Sequence, residues 1–463
     1  MELIISNEIT IKDPTPEVRE WVYSRLKVAN PEYSKKVRLG LWIGNTPKDI
    51  ALYRNSGSDL IIPHGVKDSL LYAFPELNIN GSFEHTVLFN YASNKPVNYN
   101  ANINLYDYQK DALNSLVRSR GGILQSKAGS GKTRVGIALA CALGKKTLWL
   151  THTNELLNQS YNTAAEFIDK KLLGKISAGK MQIADGITFA TVQTLSKADL
   201  FALRNTWDVV IVDECHRCAG TVNQATMFSK VLNNLAAPYK YGLSATLHRA
   251  DGLIPCTFAL LGGVAHSVPD SAVHTMQVMI KRKDTGVKIS RACLDTDGTL
   301  VYAKLINYLA EHKRRNLIIS DDLFKLSEQG HSIILLSDRV EHLNELYRLL
   351  PTEQQNDAVI LHGKVKKTER ELALEQMRNK EKHILLATYQ LAKEGLDVPC
   401  LDRLLLATPV KDYAIVVQSV GRIARICDGK GTPVVYDYVD DIGFLQGMWK
   451  KRCTSYRKDG CIL

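Results

Sequence analysis

The chain has 463 residues, of which 45% are hydrophobic and 23% are charged, and this composition is ordinary for a soluble globular protein. Its length predicts two to four domains, each able to bury its own core. Lys and Arg outnumber Asp and Glu by 59 to 48, and the net charge of +11 suits a polyanionic partner such as nucleic acid.

The cysteine spacing, the first residues and the apolar runs argue against a disulfide-rich, zinc-binding, secreted or membrane-spanning protein. The nine cysteines form no regular framework, which indicates reduced thiols, and Cys215-x-x-Cys218 lacks the second pair that a zinc site requires. The first residues, Met1–Ile5, lack the basic start and cleavage site of a signal peptide. No apolar run is long enough to span a bilayer. We therefore expect a cytoplasmic protein.

Residues 1–95 differ in pattern from the rest and predict a small α+β accessory domain. Alternating polarity over residues 37–43 predicts a strand. Helical spacing predicts one amphipathic helix around four apolar residues, Val18, Trp21, Val22 and Leu26. No catalytic signature is present here, so we do not expect this domain to contribute to the active site. A polar stretch, residues 92–100, predicts a linker.

From about residue 101 strands and helices alternate, which predicts parallel sheets covered by helices. The first set of predicted strands covers residues 122–125, 147–150, 187–191, 209–213 and 241–244. The second set covers residues 332–337, 358–362, 383–388, 403–407 and 434–438. We predict two tandem α/β domains, residues 101–285 and 300–445, followed by a tail of residues 446–463.

A phosphate-binding loop follows the first of these strands. Strand, glycine turn, Gly-Lys-Thr and helix is the context that this motif requires. Small residues let successive N–H groups surround a polyphosphate at a helix N-terminus. Lys132 then reaches the phosphates and the Thr133 hydroxyl can hold Mg²⁺. The predicted nucleotide-binding residues are Ala128, Gly129, Ser130, Gly131, Lys132 and Thr133.

A second chemical signature ends the buried strand at residues 209–213. Parallel strands place ligand-binding residues at their carboxyl ends, beside a phosphate loop. Asp213 is therefore predicted to hold Mg²⁺, and Glu214 to orient or deprotonate the attacking water.

The tetrad Asp213-Glu214-Cys215-His216 resembles motif II of a superfamily 2 helicase of the DExH type. Further motifs of that family follow in order. Gln109 after Tyr108 resembles the adenine-contacting glutamine, and residues 151–156 and 191–195 resemble segments that grip a strand. Residues 244–246, Ser-Ala-Thr, resemble motif III, which couples hydrolysis to strand movement.

The second α/β domain carries the remaining motifs. Arg422 and Arg425, three residues apart on a helix predicted to start near Gln418, suit a γ-phosphate as an arginine finger. Residues 387–399 resemble motif V, with Gly395 and Asp397 as nucleotide-binding candidates. Residues 333–338 and 361–363 resemble the motif IV region.

The resemblance covers residues 101–442. It implies two recombination-protein-like (RecA-like) domains with an ATP and Mg²⁺ site in the cleft between them, so that only one domain needs a phosphate loop. Its catalytic residues would be Lys132, Asp213, Glu214, Gln418, Arg422 and Arg425.

The segment after motif III, residues 244–252, resembles nucleotide-excision-repair translocases and phage branch-migration helicases. This favours an ATP-dependent DNA helicase that remodels branched DNA, such as forks and four-way junctions, in replication, recombination or repair, in the host cytoplasm if a phage encodes it. The N-terminal domain is then expected to read duplex or junction shape. An RNA helicase of the same superfamily and a non-catalytic nucleic-acid-binding module are the two alternatives.

Overall fold

The computed structural model describes residues 1–75, 85–87, 96–127, 129–177, 179–218, 227–247, 251–269, 272–273, 275–393, 398–410 and 413–463. The chain forms two compact units, one of residues 1–127 and 131–272 and the other of residues 128–130 and 273–463. A search of the described helices finds none with the length and apolar character needed to cross a membrane.

The N-terminal part of the first unit is a five-stranded sheet in the order β5-β6-β2-β1-β7, with a separate antiparallel pair β3-β4. Burial alternates along β1 and β2, so that Leu3, Ile5, Ile9 and Ile11 face the core. The strands are β1 Glu2–Ile5, β2 Glu8–Lys12, β3 Lys27–Ala29, β4 Asp49–Ala51, β5 Arg54–Ser56, β6 Asp59–Pro63 and β7 His85–Val87. The helices are α1 Pro16–Arg25, α2 Pro31–Arg38 and α3 Lys67–Ala73.

The predicted strand at residues 37–43 is wrong, because α2 runs to Arg38 and an irregular loop follows. Asn30 caps the helix by accepting from the Glu32 N–H at 3.0 Å, and proline occupies its first position. The C-terminal end is a Schellman motif. Gly40 takes a φ of +62°, and the Leu41 N–H donates to the Lys36 carbonyl at 2.9 Å. The apolar alternation therefore reflects surface residues of a helix and loop.

The rest of the first unit is an eight-stranded sheet in the order β11-β10-β12-β9-β13-β14-β8-β15, parallel except for the β10-β11 pair. Its strands are β8 Gly122–Gln125, β9 Thr147–Thr151, β10 Leu173–Ser177, β11 Lys180–Gln182, β12 Ile187–Thr191, β13 Val209–Asp213, β14 Tyr239–Ser244 and β15 Val264–Ser267. Its helices are α4 Asp107–Ser119, α5 Lys132–Leu143, α6 Asn154–Ala165, α7 Val192–Leu195, α8 Met227–Asn234 and α9 Ile254–Leu261. Helices cover both faces, so β9, β12 and β13 are buried at every residue.

The second unit contains a six-stranded parallel sheet in the order β16-β21-β20-β17-β19-β18. Its strands are β16 Met279–Lys288, β17 Ile333–Ser337, β18 Ala358–Leu361, β19 Ile384–Thr388, β20 Arg403–Leu406 and β21 Val434–Asp441. Its helices are α10 Tyr302–Glu311, α11 Lys313–Glu328, α12 Val340–Arg348, α13 Thr352–Asn356, α14 Lys367–Arg378, α15 Tyr389–Lys393, α16 Tyr413–Ile423 and α17 Gly443–Lys458. The predicted fold class, two α/β domains in tandem, each with a parallel sheet, is confirmed.

Most of the segment predicted as a tail, residues 446–463, belongs to the packed helix α17. Arg452 on this helix is buried and donates two hydrogen bonds, at 2.7 and 2.8 Å, to the Asp437 carboxylate on β21. Tyr456 donates to the same carboxylate at 2.8 Å. Because each buried charge has its partner, α17 is fixed to the sheet.

Within the first unit, three glycines join the N-terminal sheet to the phosphate-loop strand. A Cβ on Gly65 would lie 2.4 Å from the Gly262 nitrogen, and one on Gly262 would lie 3.3 Å from the Gly122 Cα at the start of β8. Gly262 and Gly122 also have positive φ, +95° and +100°. The backbones touch directly, so the N-terminal sheet has no room for a side chain at this joint.

A buried lysine also links the N-terminal part of the first unit to the eight-stranded sheet. Lys240 on β14 is 2% exposed and donates to the Leu232 carbonyl at 2.7 Å and the Asn7 carbonyl at 3.1 Å. Burial lowers the pKa of Lys240 to about 7, although the Glu8 carboxylate acts in the opposite direction. A neutral amine has two protons and still serves both carbonyls.

This lysine predicts a pH dependence of stability. In the unfolded chain Lys240 is protonated up to about pH 10.4, whereas in the fold it loses its proton above about pH 7. The unfolded state then binds more protons, so its contribution to stability rises with pH above 7, by at most about 1.4 kcal/mol per pH unit. Thermal unfolding of wild type and Lys240→Met at pH 7 to 9 measures it. Parallel pH profiles for the two proteins would contradict this assignment.

Candidate active site

The phosphate loop lies between β8 and α5. Gly129 and Gly131 have φ values of +83° and +78°, which only glycine adopts without strain. Helix α5 begins at Lys132 with Gly131 as its N-cap, and no side chain of the described residues caps it. A helix N-terminus without a side-chain cap attracts an anion through its first N–H groups. The Lys132 ammonium donates to the Lys127 carbonyl at 3.2 Å, which holds it over the loop.

Two carboxylates follow β13 at the same edge of the sheet. Asp213 pairs in register with Leu243 of β14, and Ser244 of β14 pairs with Gln125 of β8, so three neighbouring strands end together. Burial raises the pKa of Asp213 to about 7, and the Glu214 carboxylate adds to the rise while Lys132 opposes it. Glu214 has a φ of +51°, an uncommon conformation for a residue with a side chain.

His216 connects motif II to motif III. Ser244 Oγ donates to the Thr246 carbonyl at 2.7 Å and lies 3.1 Å from His216 Nδ1. Because the hydroxyl has a single proton, Nδ1 must donate to it, which fixes the tautomer. The same nitrogen lies 3.3 Å from Glu214 Oε2. The backbone N–H of Ser126 donates to the Ser244 carbonyl at 3.1 Å, so the phosphate loop joins this network.

The residues present suit a nucleotide with Mg²⁺. Asp213 is a buried carboxylate whose neighbours are a second carboxylate and a lysine, and its raised pKa indicates that a cation would stabilise its charged form. Ser126 Oγ is buried with no hydrogen-bond partner among the described residues. Thr133 and Asp213 supply hydroxyl and carboxylate oxygen, which Mg²⁺ prefers.

Gln109 lies beneath the phosphate loop. Its Oε1 accepts from the Tyr106 N–H at 3.0 Å and completes a capping box at the start of α4. Its Nε2 would lie 2.5 Å from a Cβ on Gly131, so the two residues pack in contact. Gln109 is 3% exposed, and its role in adenine binding stays a prediction.

The two segments that resemble strand-gripping motifs lie side by side. Thr151 ends β9 and pairs in register with Thr191, which ends β12. The Gln193 amide donates to the His152 carbonyl at 2.6 Å, and the Thr153 hydroxyl caps α6 by accepting from the Leu156 N–H. The sheet thus brings both segments to one edge.

The arginine motif of the second unit lies at the end of a helix, whereas we predicted the helix to start there. Helix α16 spans Tyr413–Ile423, so Gln418 and Arg422 are in its second half and Arg425 follows it. The reason is the apolar spacing of Val416, Val420 and Ile423, which buries one face from the first turn onward. The role of Gln418, Arg422 and Arg425 stays a prediction.

Lys430 is a residue that sequence reasoning missed. Its ammonium donates to the Arg425 carbonyl at 2.8 Å and to the Pro399 carbonyl at 2.9 Å, and so ties motif VI to motif V. Burial lowers the pKa of Lys430 to about 8. An isolated lysine in the polar segment 428–432 has no recognisable spacing, so no sequence signal was available.

Some predicted positions lie outside the described residues. These are residues 92–95 of the predicted linker, Ala128 of the phosphate loop, Gly395 and Asp397 of motif V, and residues 248–250 after motif III.

Comparison with known families matches two models to this chain. Residues 102–249 match the family described as type III restriction enzyme, res subunit, and residues 315–427 match the helicase conserved C-terminal domain. The first match contains the phosphate loop and the strand-end carboxylate pair, and the second covers most of the second parallel sheet, as in a two-domain helicase core. The chain belongs to superfamily 2 of the helicases, with relatives in phages.

Individual relatives are distant. A putative ATP-dependent RNA helicase, L396, of Acanthamoeba polyphaga mimivirus is 29% identical over 73% of this chain, and the match spans 64% of that protein. The ATP-dependent DNA helicase uvsW of Enterobacteria phage T4 is 25% identical over 74% of this chain and 70% of its own length. The structure of Dbp5 from S. cerevisiae, bound to RNA and ADP BeF3, shares the fold with a TM-score of 0.54, 18% identity and coverage of 77% of this chain and 88% of Dbp5.

Replacing Lys430 tests the connection between the two motifs. Lys430→Met keeps the length of the side chain and removes both hydrogen bonds, so we expect a loss of about 1–3 kcal/mol in the unfolding free energy. Denaturant unfolding measures it, and Lys325→Met, which removes an exposed ion pair on α11, is the control. Equal stability of Lys430→Met and wild type would show that these bonds contribute nothing.

Proposed function

We propose that this protein is an ATP-dependent DNA helicase that remodels branched DNA, such as forks and four-way junctions. The proposal rests on one observation: the neighbouring strands β8, β14 and β13 end at the same edge of the eight-stranded sheet. There the phosphate loop with Lys132, the Asp213-Glu214 pair and Ser244 form one hydrogen-bonded edge. The net charge of +11 suits DNA as partner, and the phage T4 relative is a DNA helicase by name.

The chemistry assigned to this edge is phosphoryl transfer to water. Lys132 and the N–H groups at the start of α5 bind the phosphates and offset their charge. Thr133 and Asp213 would hold Mg²⁺, which neutralises developing charge when bound. Glu214 orients the attacking water and takes its proton. The His216 Nδ1–H hydrogen bond positions Ser244, and through it motif III responds to the state of Glu214.

Two substitutions separate nucleotide binding from hydrolysis. Lys132→Ala removes the fixed charge beside the transferring phosphate, and we expect ATPase activity to fall by about 10²–10³ or more. Glu214→Gln keeps the shape and loses the base, so it should bind ATP with near wild-type affinity and turn over slowly. Steady-state ATPase and nucleotide-binding assays measure both. Wild-type hydrolysis by Glu214→Gln would overturn the assignment of motif II.

The arginines of the second unit are assigned to ATP hydrolysis and not to DNA binding. An arginine finger contributes roughly 10³–10⁵ in rate, whereas a phosphate-contacting arginine adds about one unit to the salt dependence of DNA binding. We therefore expect Arg425→Ala and Arg422→Ala to lose ATPase activity while the DNA Kd and its salt slope stay near wild type. Gln418→Ala should have a milder effect, because an amide carries no charge. Weak DNA binding with intact hydrolysis at saturating DNA would assign these residues to the DNA path.

An RNA helicase is the second candidate, because the mimivirus relative is named a putative RNA helicase. ATPase activity stimulated by duplex DNA, fork, four-way junction and matched RNA, at one stated salt concentration, separates the two. Greatest stimulation by branched DNA supports the proposal. Greatest stimulation by RNA would replace it with the second candidate.

A further inference from the structure

The segment between β3 and β4, residues 30–48, contains α2 and the loop after it. We call it the α2 segment. None of the residues of α2 is buried, which is unusual for a helix, because most helical stability comes from packing an apolar face. The α2 segment nevertheless carries an exposed apolar group, Val37, Leu39, Leu41 and Trp42.

Trp42 is the largest and the most exposed side chain of this group. The five tryptophans of the chain all lie among the described residues, and Trp42 is 88% exposed whereas Trp149 and Trp207 are at most 2% exposed. An indole left in water leaves a large apolar area uncovered, and patches of this kind mark interaction sites.

The loop holds the indole in a defined place. The Schellman motif at Gly40 turns the chain, and the Lys36 ammonium donates to the Thr46 hydroxyl at 2.7 Å. Asn30 donates to the Pro47 carbonyl at 2.9 Å, which closes the base of the segment. A Cβ on Gly44 would lie 2.9 Å from the Trp42 ring, so the ring packs on the backbone of Gly44 and presents its other face.

The segment that carries the indole has a positive net charge. The α2 segment contains four basic residues, Lys35, Lys36, Arg38 and Lys48, and one acidic residue, Glu32. Lys35, Arg38 and Lys48 are exposed. An exposed aromatic side chain on a segment rich in exposed cations complements a base next to a phosphate backbone, because bases stack on aromatic side chains and phosphates pair with Lys and Arg.

We propose that the α2 segment is a nucleic-acid contact in which Trp42 stacks on an unpaired base at the branch point of a DNA substrate. Arg38 and Lys35 contact the adjacent phosphates. This assignment rests on the proposed function, since a branched substrate offers unstacked bases that a continuous duplex does not. It gives the β3-β4 pair a role in choosing the substrate. This pair packs on the rest of the first unit, because Ile50 of β4 lies in one buried cluster with Leu253 and Cys256.

Direct binding of the full chain to a fork tests the stacking. Base stacking on an aromatic side chain contributes enough that Trp42→Ala should weaken binding to a fork with an unpaired base by about 5- to 150-fold. Trp42→Phe should retain most of the affinity. Tyr72→Ala is the matched control, because Tyr72 on α3 is 87% exposed in the same sheet domain, and it should bind like wild type.

The same titrations carry a spectroscopic readout. A 2-aminopurine at the branch point is quenched when an indole stacks on it, so wild type should quench it and Trp42→Ala should not. Arg38→Gln should lower the salt slope of binding by about 0.7–0.9. Equal Kd and equal quenching for wild type and Trp42→Ala would overturn the proposal. If Trp42→Ala instead changes self-association in sedimentation, the α2 segment contacts protein and the proposal is wrong.

Fork-stimulated ATPase activity of the wild-type protein distinguishes a failure of this inference from a failure of the proposed function. Stimulation of wild-type ATPase by the fork, together with an unchanged Kd for Trp42→Ala, would remove the stacking assignment alone. A loss of affinity at Trp42 without any stimulation of ATPase would sink the helicase proposal and leave the contact in place.

Discussion

A buried carboxylate at the end of a parallel strand is the constraint around which the first unit is arranged. Asp213 is 6% exposed, and its charge has Lys132 on one side and Glu214 on the other. A charge in such a position is costly unless it is paired, hydrogen-bonded or bound to a cation. Burying β13 on both faces places Asp213 there, because helices must cover a parallel sheet. The fold therefore places a carboxylate where its charged form is unfavourable, and a bound Mg²⁺ would stabilise that charged form.

The same edge explains why several short motifs form one network. His216, Ser244 and Thr246 are linked by side chain and carbonyl, and the Ser126 N–H joins the phosphate loop to them. Each of these residues belongs to a three- or four-residue motif with little meaning alone. Strand register brings them within hydrogen-bond distance, since β8, β14 and β13 are neighbours in the sheet.

The parallel sheets were predictable from sequence because buried strands leave a strong signal. The predicted strands at residues 187–191 and 209–213 match β12 and β13 at both ends. The α2 segment was not, because its apolar residues alternate as in a strand although Asn30, Pro31 and Gly40 are helix signals. Among the site residues, Lys132 and Asp213 stand out through their motifs. Lys240 and Lys430 do not, because their partners are backbone carbonyls, which have no signature in a sequence.

The three stacked glycines limit how this protein can be recombined with its relatives. Gly65, Gly262 and Gly122 belong to segments far apart in the chain, yet each leaves space that the next backbone occupies. A chimaera that receives its N-terminal sheet from another helicase must therefore inherit all three positions together. An alanine at Gly65 would place its Cβ 2.4 Å from the Gly262 nitrogen, so the two backbones would have to move apart. The N-terminal sheet is thus not an interchangeable module, and its sequence is expected to diverge in step with that of the first helicase domain.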